Sequence, residues 1–133
     1  MMILAIIYSS ICVTIAALHL LWALGVWFPI KDERGLVAAA VGIKGVTRMP
    51  GAVPCALVVV ALLFAAVAPW WSAGGLRNLV LGCSALIFLG RGAAAYLPLW
   101  RKLTPQEPFA TNDLRYYGPL CIFLGISAAL LLF

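Results

Sequence analysis

Long apolar runs alternate with short polar ones along this chain. The apolar stretches run from Ile3 to Phe28, Val53 to Trp71, Leu76 to Leu99 and Leu114 to Phe133. Each supplies roughly the 20 residues that a helix needs to cross a hydrocarbon core of about 30 Å. In lipid only a helix or a closed barrel satisfies every backbone N–H and C=O, and runs this long without period-two alternation predict helices. The pattern predicts an all-α integral membrane protein, a four-helix bundle forming one domain over residues 1–133.

The connections add detail. Between the first two spans, Leu36 to Ile43 is apolar but too short to cross. Asp32 is placed to cap a helix starting at Glu33, and Lys44 and Arg48 would share one face of its continuation. A short interfacial helix is therefore expected between helices 1 and 2. The glycine-rich Ser72-Ala73-Gly74-Gly75 predicts an antiparallel hairpin that makes helices 2 and 3 close neighbours. In the third connection, Thr104-Pro105-Gln106-Glu107 matches a capping box, but Pro108 biases Glu107 away from helical geometry, so an ordered loop is expected.

Composition narrows the class further. Of 133 residues 65% are apolar and 10% charged, against about 25% charged in soluble domains. About 50 positions lie outside four spans, too few for a separate soluble domain. The net charge of +5 would point to nucleic acid on a solvated basic face, but these charges sit between apolar runs, so no nucleic-acid partner is expected. Orientation accounts for them instead. The first connection carries Lys31, Arg34, Lys44 and Arg48, the third Arg101 and Lys102, and the second only Arg77. Positive-inside bias places the first and third connections in the cytoplasm and both termini outside. Trp27 and Trp100 fall at one face and Trp70 and Trp71 at the other, as an aromatic belt would. The N-terminus lacks the basic n-region of a signal peptide, so the first run is expected to stay as a transmembrane helix. Cys12, Cys55, Cys83 and Cys121 lie singly in the apolar runs with no C-x-x-C, which predicts reduced packing residues rather than a redox pair or metal knuckle.

Small residues form stripes at helical spacing, Cys12, Ala16, His19 and Ala23 in the first helix, Ala61, Ala65 and Ala68 in the second, and Cys121, Gly125 and Ala128 in the fourth. These are expected bundle contacts, with His19 pointing inward. Depth is more informative. His19 lies nine residues before Phe28 and Arg91 nine before Trp100, so each is expected about 13 Å from the cytoplasmic end of its helix, with Cys121 about 12 Å inside by the same rise. Trp22 and Tyr117 follow on the cytoplasmic side, and Asp113, Tyr117 and Cys121 share one i, i+4, i+8 face. With Tyr116 alongside, these residues outline a funnel opening to the cytoplasm.

Arg91 carries the strongest signal, because a charge inside a span faces the bundle or water. Small neighbours in Gly90-Arg91-Gly92-Ala93 let another backbone approach, so carbonyls could equally satisfy the guanidinium. One histidine cannot supply two axial haem ligands within a chain, and no Cys, Asp or Glu lies near it at metal spacing, so neither cofactor nor metal is expected. A proton-coupled antiporter needs an intramembrane carboxylate, whereas all four carboxylates fall in connections or at a helix end. Quinone-linked disulfide chemistry needs paired cysteines. A serine hydrolase needs a nucleophile beside its base, and Ser9 and Ser10 stand two turns or more from His19.

Three blocks carry a resemblance: His19-Leu20-Leu21-Trp22-Ala23-Leu24-Gly25, Phe88-Leu89-Gly90-Arg91-Gly92, and Pro108-Phe109-Ala110-Thr111-Asn112-Asp113-Leu114-Arg115-Tyr116-Tyr117-Gly118-Pro119-Leu120-Cys121. Over most of its length the chain resembles an uncharacterised family of small four-helix bacterial inner-membrane proteins, a domain of unknown function. Gly118 stands where that family commonly has Ser, and Arg91-Gly92-Ala93-Ala94 where it more often has Arg-Ala-x-Gly. The resemblance implies four helices in a bacterial inner membrane and brings no activity. It marks His19, Trp22, Arg91, Asp113, Tyr117 and Cys121.

Three readings follow. In the first, a non-enzymatic membrane protein binds a lipid, small amphiphile or membrane partner at the polar layer, Arg91 meeting a carboxylate, phosphate or polarised carbonyl. In the second, a cofactor-free enzyme moves a proton on an apolar substrate through His19 or Asp113. In the third, the polar residues only fix helix register in a structural subunit, which would pack against another membrane protein or a second copy of itself.

Overall fold

The computed structural model describes all 133 residues, Met1 to Phe133, and has helices but no strands. Three helices are long and apolar enough to cross a membrane. They are α1 (Met2–Ala23), α3 (Ala52–Val67) with a 3₁₀ turn that carries it to Trp70, and α4 (Gly75–Ala94). The short helix α2 (Glu33–Ala40) lies between α1 and α3, and α5 (Pro98–Leu103) and α6 (Phe109–Asn112) follow α4. The last apolar run is helical from Phe109 to Leu130, but a π-helical turn at Asp113–Tyr117 separates α6 from α7 (Gly118–Leu130).

Proline explains that turn. Pro119 has no N–H for the carbonyl one turn back and its ring crowds that carbonyl, so the helix widens upstream of it. The Leu114 carbonyl, to which Pro119 offers no donor, accepts instead from the Tyr96 hydroxyl at 3.3 Å. Because the widening adds a residue to the turn, the expected face of Asp113, Tyr117 and Cys121 does not persist.

Two runs stop earlier than their apolarity predicts. Helix α1 ends at Ala23, after which Gly25 takes a positive φ of 79°. Helix α4 ends at Ala94, and Leu97 is extended before Pro98 restarts the chain as α5. His19 and Arg91 therefore sit about one turn, roughly 5 Å, from their helix ends, not the 13 Å expected. Helix α2 starts as predicted: the Asp32 Oδ1 accepts from the Gly35 N–H at 2.7 Å. It stops at Ala40, however, and Gly42 and Gly45 both take positive φ. Lys44 and Arg48 consequently lie on irregular chain, not on a shared helical face.

Helix α1 packs along α3 and α4 along α7, whereas α3 and α4 touch sparingly. The close α3–α4 hairpin expected from the short connection is not formed; the 3₁₀ turn and the Trp71–Gly74 segment splay the two helices apart. Glycine brings α4 onto α7. A Cβ on Gly92 would fall 2.6 Å from Ile122 Cγ1 and 2.9 Å from the Gly118 carbonyl oxygen, and one on Gly125 would fall 2.6 Å from Leu89 Cγ. Ser9 joins the other pair, donating to the Ala66 carbonyl at 2.6 Å while accepting from Trp70 Nε1 at 2.9 Å.

The main apolar cluster lies toward one end, while Leu36, Val37, Ala95, Phe109 and Ala110 are buried at the other. Tyr8 and Cys12 of α1, Ala65, Ala66 and Ala68 after mid-α3, Leu81 and Ala85 of α4, and Leu124, Ala128 and Leu131 of the last helix form one buried cluster. These belong to the half of the bundle that holds both termini. Of the predicted stripes Ala61 is exposed, and Cys83 is exposed as well. At the opposite end the first and third connections are tied together. The Lys44 N–H donates to the Leu103 carbonyl, the Gln106 N–H to Gly42, and the Gln106 carboxamide to Ile43 and Val46. Gly42 also faces the Phe109 ring so closely that any Cβ there would collide with it. The capping box does not form: the Thr104 hydroxyl donates back to the Trp100 carbonyl, and Glu107 instead accepts from the N–H and hydroxyl of Thr111.

Candidate functional site

A partly open cavity of about 650 Å³ lies between α1, α2 and the α6–α7 helix, with Arg91 of α4 at its wall. Ile15, Leu18, Leu36 and Leu120 make its lining largely apolar, and His19, Trp22, Asn112, Tyr117 and Cys121 bring chemistry to it. A smaller cleft of about 230 Å³ adjoins it toward α3, sharing His19, Trp22 and Ala40.

Each polar side chain is held by a particular partner. His19 Nδ1 lies 2.9 Å from the Ile15 carbonyl; a carbonyl only accepts, so Nδ1 bears a proton there, and Nε2 has no hydrogen-bond partner in the protein. Trp22 stacks at a tilt on His19 with ring centroids 4.7 Å apart, and its Nε1 donates to the Phe28 carbonyl at 2.8 Å. The Tyr117 hydroxyl donates to the Ala39 carbonyl at 2.9 Å, and its ring leans on Phe109, so the π-helical turn is fixed against α2.

Arg91 is engaged by a carboxylate and an indole rather than by backbone carbonyls. Its Nη2 donates to Asp113 Oδ1 at 2.7 Å, and Trp100 Nε1 donates to Asp113 Oδ2 at 2.8 Å. The guanidinium carbon lies 4.9 Å from the centre of the Trp100 ring. Nη1 is buried without a hydrogen-bond partner, which leaves the ring's negative face as its electrostatic complement. Asp113 is fully buried while the Arg91 side chain keeps 30% of its surface. The three residues form a closed, charge-balanced cluster between α4, α5 and the last helix.

Of the residues singled out in the sequence, His19, Trp22, Arg91, Tyr117 and Cys121 meet at the cavity. Asp113 does not line it but stands behind Arg91, and Tyr116 is 61% exposed and turned away. Asp113 is also no helix-end carboxylate in solvent: it is buried and each of its oxygens accepts a hydrogen bond. Trp100, Asn112 and Phe109 join the site although their residue types gave no reason to choose them. Pro98 was the available signal for Trp100, since a proline within a run ends the helix before it and folds the following segment back.

All the pieces belong to a small helical protein with membrane-length spans and a partly open cavity beside its main apolar cluster. The chain belongs to the family described as a protein of unknown function, DUF3995, whose model matches residues 12–128. No curated protein and no solved structure matches it.

Proposed function

We propose that the chain is a four-helix protein of the bacterial inner membrane that binds a lipid or small amphiphile in the cavity without chemically altering it. In this reading the helix from Phe109 to Leu130 is the fourth span; at about 1.5 Å per residue it is roughly 30 Å long. The hydrogen bonds joining the first and third connections support it, because four spans bring those two connections to one side. The Lys and Arg count makes that side cytoplasmic and leaves both termini outside. The observation that carries the binding role is the cavity itself. It is partly open and holds about 650 Å³, within the range of about 300–1,000 Å³ usual for ligand sites.

A ligand that binds only the folded state raises its stability with concentration. Delipidated protein in a neutral detergent should show a melting temperature that rises and saturates as a total membrane lipid extract is added. A Cys121→Trp variant, whose indole obstructs part of the cavity, should start from an equal or higher melting temperature and respond less. Equal responses from the two proteins would assign the effect to bulk lipid and remove the case for a site.

A further inference from the structure

We infer that the cavity selects a neutral amphiphile with a hydroxyl-bearing head over an anionic lipid; this rests on the binding reading above and specifies its ligand. The formal charge in the wall is Arg91, and its guanidinium already faces Asp113 at 2.7 Å. An incoming carboxylate or phosphate would meet an ion pair rather than a free cation, with Asp113 repelling what Arg91 attracts. Lys31 and Arg34, near the start of α2, are exposed and line no part of the cavity. An anion would give up hydration on entering this largely apolar site and gain little in return.

Apart from Arg91 Nη1, which is buried beside the Trp100 ring without a hydrogen-bond partner, the groups that remain free suit a neutral head. The Tyr117 hydroxyl and the Trp22 N–H are committed to backbone carbonyls. His19 Nε2 has no partner in the protein and can only accept while the ring is neutral. The Asn112 carboxamide, also at the cavity and without a protein partner, can both donate and accept. An alcohol matches this pair: its O–H donates to Nε2 and its oxygen accepts from the Asn112 amide. The apolar side chains of Leu18, Leu36 and Leu120 then face the hydrocarbon tail.

The test uses two photoreactive probes that share one diazirine-bearing alkyl chain and differ only in the head, a primary alcohol or a sulfonate that stays anionic. The full chain is reconstituted in phosphatidylcholine nanodiscs, and crosslinked peptides are mapped by mass spectrometry. Saturable labelling of cavity residues by the alcohol, competed by monoolein and at least tenfold stronger than by the sulfonate, is the expected result. His19→Leu should weaken alcohol labelling about three- to tenfold, the value of one hydrogen bond, with an unchanged circular dichroism spectrum and melting temperature. Equal or stronger labelling by the sulfonate would overturn the neutral-head inference while leaving the binding role intact. Undiminished alcohol labelling in the folded His19→Leu protein would overturn the hydroxyl contact. Labelling by neither probe within the cavity would instead count against the binding role itself.

Discussion

Removing Arg91 alone should cost far more than removing both members of the Arg91–Asp113 pair. Asp113 is fully buried and accepts two short hydrogen bonds, at 2.7 Å from Arg91 and 2.8 Å from Trp100. Arg91→Leu leaves that carboxylate with only the indole N–H, and stripping a partner from a buried pair costs about 3–5 kcal/mol. Asp113→Leu leaves the guanidinium, which retains 30% of its surface and can reach toward water, so the loss should be smaller, about 2 kcal/mol. The Arg91→Leu/Asp113→Leu double variant strands no charge and should lie only about 1–2 kcal/mol below wild type, since apolar replacement of both members of a buried pair is often close to neutral. Equilibrium unfolding in mixed micelles, followed by circular dichroism, measures all four proteins. The cycle should return a coupling of at least about 2 kcal/mol; additivity within about 0.5 kcal/mol would refute the idea that the pair acts as one unit.

Four further outcomes follow from the geometry. Gly92→Ala, whose Cβ would sit 2.6 Å from Ile122 Cγ1, should lose about 1–3 kcal/mol by overpacking in the same unfolding assay. Gly90→Ala, two residues away and facing open space, should be neutral or slightly stabilising through helix propensity. Tyr117→Phe removes the bond to the Ala39 carbonyl and should speed amide hydrogen exchange in α2, costing about 1 kcal/mol overall. A Ser72→Cys variant lacking the native cysteines should react with a membrane-impermeant maleimide added outside intact cells; labelling solely from the cytoplasm would invert the proposed orientation.

The hydrophobic pattern made the helical class legible, because spans longer than a core helix needs are dictated by lipid and by little else. Positions of helix ends were less legible. Apolar residues continue past Ala23 and Ala94, and only Gly25 and Pro98 record that the backbone turns there. That misplacement set His19 and Arg91 too far from their helix ends by about one and a half turns, yet both moved by nearly the same amount, and they still meet Cys121 at the cavity. The pairing of Arg91 with Asp113 was hidden for a different reason. Their juxtaposition depends on Gly92 and Gly118 letting α4 approach the last helix and on the π-helical turn before Pro119, neither of which a fixed helical period registers. The same turn separated Asp113, in the closed cluster, from Tyr117, at the cavity.

Native mass spectrometry on wild-type protein ejected from nanodiscs, beside Cys121→Trp, tests the central claim most directly. If the cavity is a binding site, the wild-type chain retains one small molecule of definite mass that the folded Cys121→Trp chain lacks. A bare wild-type chain, or identical adducts on both proteins, would contradict it and leave the cavity without a ligand.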